Sequence, residues 1–247
     1  MPSVSDVACK DGLSELPAAA AARLLSASLF RAAPKPAIEA LARFAIRRTL
    51  RANEALWHTG EAAHHFVVIS RGLVRVERTV PSGTPVIVSI FGPHESVGAT
   101  AALQGAPYPA DAIASSQTIE IIQLPVAEVR AAMEREPRVA ACIHEAVMTH
   151  TQALQAKIDI MSAGSVPARL AALFKHLAER FGDEQEDGST RVPVALSRGA
   201  IAQLVSARTE TVIRVLARWR HTGVLCADAD GFDIPDLGQL ETVCAQG

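Results

Sequence analysis

The stretch from Ser197 to Gly223 constrains this chain more than any other. Ser197 is a strong N-cap for a short helix over 198–205, and Ser206-Ala207-Arg208 makes a tight turn. A second helix is predicted from Thr209 to about Thr222, where Gly223 stops it. Helices this short are marginal alone and must bury an apolar face against a neighbour. Ile201, Leu204 and Val205 on the first, and Val212, Val215, Leu216 and Trp219 on the second, supply those faces. The pattern is that of a helix-turn-helix, which presents its second helix to the major groove of DNA.

Charge supports that reading locally. The formal net charge is only −2, yet Thr190–Thr222 carries six arginines (Arg191, Arg198, Arg208, Arg214, Arg218 and Arg220) against Glu210 alone, a net of +5. From Gly223 onward five acids meet no Lys or Arg. A basic face of this kind is what phosphate neutralisation needs. Glu210 and Arg214 stand four apart, on one face of the second helix. An arginine can donate two hydrogen bonds to guanine, a carboxylate can accept from cytosine, and the Thr209 methyl can meet thymine. The alternative for Glu210 and Arg214 is an ordinary ion pair on a solvated face. Candidate DNA contacts are therefore Ser197, Arg198, Ser206, Arg208, Thr209, Glu210, Thr211 and Arg214. Val224–Ile234, with Asp230-Gly231 at its middle, reads as a two-stranded wing.

The rest of the chain divides into segments of different texture. Residues 1–22, Ala-rich with Pro2 and Pro17, read as a flexible tail, and helical spacing follows over 23–30 and 36–46. From Leu50 to Leu124, short Val/Ile runs alternate with turns, the signature of an all-β segment. Gly60, Gly72, Gly83 and Gly98 punctuate it, as hairpin corners needing positive φ or close approach would. Pro125 opens a helix over 126–134, and after Pro137 a long helix runs to about Met161. In it Val139, Ile143, Val147, His150, Leu154, Ile158 and Met161 recur every three or four residues, a narrow seam suited to pairing two copies. The same helix could also pack on its own β domain. Gly164-Ser165-Val166-Pro167 is a hinge, 168–181 is amphipathic, 182–189 is a polar loop, and 192–196 is a strand candidate. The domains expected are a sensory β domain with flanking helices over 23–136, a dimerisation helix over 137–163, and a DNA-binding domain over 164–247.

Several classes are disfavoured. With 49% hydrophobic and 20% charged residues the chain can bury a core, and no apolar run spans a bilayer. Met1–Lys10 has no signal-peptide pattern, so a cytoplasmic location without membrane partner is expected. Cys9, Cys142, Cys226 and Cys244 are scattered, which argues against structural zinc and against disulfides. No nucleophile-elbow, phosphate-loop or His-Glu-x-x-His motif is present, and Gly92-Pro93-His94-Glu95 lacks ligand spacing, so no catalytic or metal site is expected. A stand-alone nucleotide-binding module would lack the basic helix-turn-helix.

Ser197-Arg198-Gly199-Ala200-Ile201-Ala202, followed by Thr209-Glu210-Thr211-Val212-Ile213-Arg214-Val215-Leu216, resembles the helix-turn-helix of the CRP/FNR regulators. The glycine spacing and the run Phe66-Val67-Val68-Ile69-Ser70-Arg71-Gly72 resemble that family's β-roll, and the similarity spans roughly residues 45–240. The resemblance implies an α+β architecture: an N-terminal, jelly-roll-like β-roll, a long dimerisation helix and a C-terminal winged helix-turn-helix. It implies a homodimer on a palindromic DNA operator, with RNA polymerase as a further partner. The interface residues would be Ile143, Val147, His150, Leu154, Ile158 and Met161. Glu210 and Arg214 match the positions that read the half-site core, and Thr209 and Ile213 depart from the two best-known branches, favouring an FNR-like TTGA half-site.

The family's cyclic-AMP pocket maps onto Gly98, Ala99 and Leu154, but the matching positions carry Ala99 in place of a carboxylate and Pro109-Ala110 in place of Arg-Ser. No arginine lies between Arg78 and Arg130, and a buried cyclic phosphate without a cation is costly. Cyclic AMP is thus disfavoured. An iron–sulfur cluster is too, since only Cys9 precedes residue 140. Haem stays open, with His58, His64, His65, His94, His144 and His150 as the available imidazoles, and the effector, if there is one, stays unidentified.

Overall fold

The computed structural model describes residues 13–15, 17–27, 29–79, 85–228 and 230–245. They form two compact units: the described residues up to Arg78 with Ile90–Thr151, and Thr79–Ser89 with Gln152 onward.

The first unit opens with β1 (Leu13–Glu15), α1 (Ala18–Ser26) and α2 (Lys35–Ala42). Strands β2 (Ile46–Arg51), β3 (Ala55–Trp57), β4 (His65–Arg71), β5 (Val74–Thr79), β6 (Pro85–Phe91, of which Pro85–Ser89 is counted with the second unit) and β7 (Ser96–Val97) follow. Then come α3 (Ala99–Gln104), β8 (Asp111–Ala114), β9 (Thr118–Pro125), α4 (Val126–Arg135) and the long α5 (Pro137–Ser162). One sheet is ordered β1-β2-β9-β4-β7 and the other β3-β8-β5-β6.

Both faces of these strands are covered, so the period-two alternation of side chains makes Phe66–Ile69 of β4 a continuous apolar run and lets β9, despite Glu120 and Gln123, bury residues on both sides. Val67 and Ile69 of β4, with Ile119 and Ile121 of β9, face the roll interior and pack with Trp57, Phe91 and Tyr108. Phe66, Val68, Ile122 and Leu124 of the same strands face outward beneath α1, α2, α4 and α5. Burying each such side chain contributes roughly 1.5–3 kcal/mol. Gly60, Gly72 and Gly98 adopt positive φ, but Gly98 caps the start of α3 and Gly72 joins β4 to β5 of the other sheet, so neither of these two is a hairpin corner, and Gly83 lies outside the described residues.

The tail expected over 1–22 is corrected at its end. Helix α1 begins at Ala18, because alanine is the best helix former and Ala21 and Leu25, both fully buried, give the segment a face to pack. The remainder of that stretch, Cys9 included, lies outside the described residues apart from β1 and Pro17.

The second unit holds the last turns of α5, then α6 (Val166–Phe181), a β10 (Asp183–Glu184) and β11 (Thr190–Val192) hairpin, α7 (Arg198–Leu204), α8 (Thr209–Thr222), β12 (Cys226–Ala227), β13 (Phe232–Ile234) and α9 (Leu237–Ala245). Gly164, at φ 78°, separates α5 from α6, and Ser165 Oγ accepts from Ala168 N at the start of α6. The polar loop expected over 182–189 is the turn of this hairpin, with only Asp183 and Glu184 drawn into backbone pairing with β11. The strand expected over 192–196 ends at Val192 instead. Phe174, Trp219 and Phe232 meet edge-on in the core of this unit, at centroid separations of 6.2 and 4.8 Å from Phe174. Helix α9, which no sequence signal marked, packs on α6 through buried Leu240 and a Lys175–Glu241 ion pair of 2.6 Å.

Candidate nucleic-acid interface

Local chemistry builds the two-helix unit as its residues demand. Ser197 Oγ accepts from Ala200 N at 3.1 Å, capping α7. Ser206 sits in the turn at φ 49°, a left-handed conformation uncommon for serine. Helix α8 closes at Gly223, φ 73°. Val212, Val215, Leu216 and Trp219 are buried against the rest of the unit, and that burial turns Glu210, Ile213, Arg214 and Arg218 outward.

Glu210 and Arg214 are both exposed and, among the described residues, form no ion pair with each other or with any other side chain. The plain solvated-pair alternative is therefore not realised here. Ser197, Arg198, Ser206 and Arg208 are likewise exposed, while Thr209 and Thr211 are half-buried. Glu210 in the first turn of α8 also lies at the favourable end of the helix dipole.

One arginine of the basic stretch is spent elsewhere. Arg191 donates to Asp228 at 2.7 and 3.0 Å and to Asp233 at 2.9 Å, tying β11 to the wing. Asp228 also accepts from Asp230 N and Gly231 N, both at 2.8 Å, so one carboxylate organises the turn. Arg191, and then those backbone donors, hold the Asp228 carboxyl down at about 2. A wing at Asp230-Gly231 was legible in the sequence, but its clamp pairs residues 37 positions apart and was not.

The cyclic nucleotide-binding domain family matches residues 47–136, and the Crp-like helix-turn-helix domain family matches residues 168–243. The chain belongs to the CRP/FNR family of transcriptional regulators. It is 25% identical over 217 residues to the "CRP-like cAMP-activated global transcriptional regulator" of Mycobacterium tuberculosis H37Rv, covering 88% of this regulator and 96% of that one. Among solved structures, FixK2 from Bradyrhizobium japonicum superposes with a TM-score of 0.68 at 17% identity, over 81% of this chain and 96% of that one. A CRP-family regulator from Thermus thermophilus gives 0.63 at 23% identity, over 80% and 96%. Family members regulate transcription and are not enzymes. Among the described residues of the regulator, no helix is long and apolar enough to cross a membrane.

Within residues 47–136, the residues at the expected nucleotide pocket are packed. Trp57 and Tyr108 stack at 3.9 Å with planes 10° apart, and Trp57 Nε1 donates to Ala110 O at 3.1 Å. Gly98 has φ 71°, and a Cβ there would come within 2.7 Å of the Tyr108 ring, so the aromatic pair lies directly against this backbone. Ala99 is buried in the outer core. Leu154 belongs to the second unit, where it is exposed.

The first half of the expected seam packs on its own unit. Val139 and Ile143 are 0% and 1% exposed, and Val147 is half-buried against the same core beneath β4 and β9. His150 is half-buried and stacks on Phe91 at 5.5 Å, where burial pushes its imidazole below the usual histidine range. Heptad spacing marks an apolar face without saying what covers it, and here the protein's own sheet does so. From Leu154 on the face is open: Leu154, Ile158 and Met161 are 38%, 65% and 37% exposed.

Proposed function

We propose that this regulator is a homodimer that reads a palindromic, FNR-like TTGA operator and answers to a signal other than cyclic AMP. The observation that carries the DNA reading is the outward, unpaired Glu210–Arg214 face of α8. An Arg there can address guanine bidentately while Glu210 accepts from cytosine. Thr209 and Ile213 border that face with methyl groups suited to thymine. Ser197, Arg198, Ser206, Arg208 and Thr211 hold the phosphates on either side, fixing register rather than sequence. Pairing through Leu154, Ile158 and Met161 sets two such helices on half-sites one turn of DNA apart, about 34 Å. The chain works in the cytoplasm, where DNA and RNA polymerase are its partners.

Selection from random duplexes tests this reading. Enriched DNA is expected to carry TTGA and its inverted repeat one turn apart. Enrichment of unpaired half-sites, or of motifs lacking the TTGA core, would overturn it.

The name of the mycobacterial relative favours cyclic AMP as a second reading. Against it stand Ala99, Pro109 and Ala110, which offer the nucleotide neither carboxylate nor guanidinium, and the apolar packing of Trp57 on Tyr108. A desolvated phosphate needs charge-assisted donors to offset its lost water. Calorimetric titration with millimolar cyclic AMP is expected to give no binding heat, and operator affinity is expected to be unchanged. A micromolar Kd, or severalfold tighter operator binding, would reinstate the nucleotide.

A further inference from the structure

The helix-turn-helix turn is gripped from below by two cations that the DNA reading does not use. Lys157, on the last turns of α5, donates its ammonium to Leu204 O, the final carbonyl of α7. Arg169, on the first turns of α6, donates Nη1 to Val205 O at 2.7 Å and to Ser206 O at 3.4 Å. Three consecutive carbonyls at the C-terminal end of α7 are thus met by two positive groups. Those carbonyls lack intrahelical partners, and the helix dipole turns its negative end toward them.

The arrangement is not what stability alone would select. Burial, and then the neighbouring Arg169 guanidinium, push the Lys157 ammonium down to about 8. Arg169 Nε is buried with no hydrogen-bond partner. Ser206 holds its left-handed turn conformation at the same point. Neutral donors could satisfy the same carbonyls without desolvating two like charges side by side. What the cations add is direction, because each bond fixes the turn from which α8 departs at Thr209. Lys157 also lies one residue from Ile158 and three from Leu154, the exposed apolar face of α5.

We infer that Lys157 and Arg169 are positioning residues: they lock the start of α8 to the face-bearing end of α5, and so set the spacing of the two recognition helices across a dimer. The inference rests on the reading of α8 and α5 given under Proposed function. Neither residue touches DNA in this scheme.

Lys157→Met, which keeps length and volume and removes the cation, tests it in the full-length protein. Melting, sedimentation, and binding to the TTGA palindrome, to a scrambled duplex and to palindromes with half-sites moved one or two base pairs apart would be measured together. The variant is expected to fold, to melt only modestly below the parent because Leu204 O loses its donor while the repulsion from Arg169 is relieved, and to keep the parent's assembly state and scrambled-site affinity. Its preference for the palindrome is expected to fall about tenfold and its tolerance of altered spacing to widen. Lys157→Arg, which keeps a cation within reach, is expected to retain the parent's preference and spacing. If Lys157→Met melts lower and loses specific and scrambled binding equally, the clamp is merely structural and the inference fails. It fails equally if spacing and preference match the parent. Should Lys157→Met not fold, Arg169→Lys, which keeps the charge but not the two-carbonyl reach, carries the same expected spacing change and the same refutation. Arg214→Ala in parallel separates the two readings: discrimination surviving that change defeats base reading by α8, whereas its loss there and persistence in Lys157→Met defeats the clamp alone.

Discussion

Arg214→Ala is expected to abolish preference for a TTGA palindrome over a scrambled duplex while leaving the fold intact. Arg214 is exposed and engaged with no other side chain among the described residues, so its removal leaves no buried group orphaned and no cavity. One bidentate base contact supplies about 1–3 kcal/mol of discrimination, and two protomers double it, so the preference should fall by at least about 30-fold. Glu210→Ala, on the same face, should act in the same direction and less strongly, since it removes a single acceptor. Phosphate-facing residues should behave differently. Arg208→Ala is expected to weaken specific and scrambled binding alike and to flatten the salt dependence, as loss of a counterion-releasing contact does. Fluorescence anisotropy at two salt concentrations separates the outcomes. An Arg214→Ala protein that discriminates like its parent would return this arginine to the solvated surface.

The second large effect concerns assembly. Replacing Leu154 and Ile158 together by Glu should give a folded monomer, because both side chains are already in water and the change opens no void. In a dimer the four carboxylates would face one another across a desolvated seam, which is costly. A monomer engages one half-site at a time, and the lost avidity is of order 10²–10⁴-fold in operator affinity. Sedimentation equilibrium and operator binding read both consequences. A double variant that still sediments as a dimer would place the interface on another surface. The same substitution at Ile143 has no such meaning, since that residue is internal to its own unit and a charge there unfolds it.

Much of this regulator was readable one residue at a time. Ser197 as N-cap, Gly223 as helix stop and Gly164 as the break between α5 and α6 act through backbone conformation and capping, which are local. The bounds of α8 followed for that reason, and so did the outward setting of Glu210 and Arg214, which 3.6-residue periodicity dictates once Val212, Val215 and Trp219 are buried. The positive φ of Gly60, Gly72 and Gly98 belongs to the same class.

Tertiary structure decided whatever depends on partners distant in the chain. Residue type and spacing made the α5 seam apolar from Val139 to Met161, yet only folding divides it, covering Val139 and Ile143 with β4 and β9 while leaving Leu154, Ile158 and Met161 open. Arg191 counts as one more positive charge in the sequence, and only the approach of Asp228 and Asp233 removes it from the DNA-facing set. Lys157 and Arg169 carry no motif at all; they acquire a role because folding brings the carbonyl end of α7, distant in the chain, within reach of their cations. Caps, periodicity and turns are set by neighbours along the chain, whereas burial and ion pairing are set by neighbours in space.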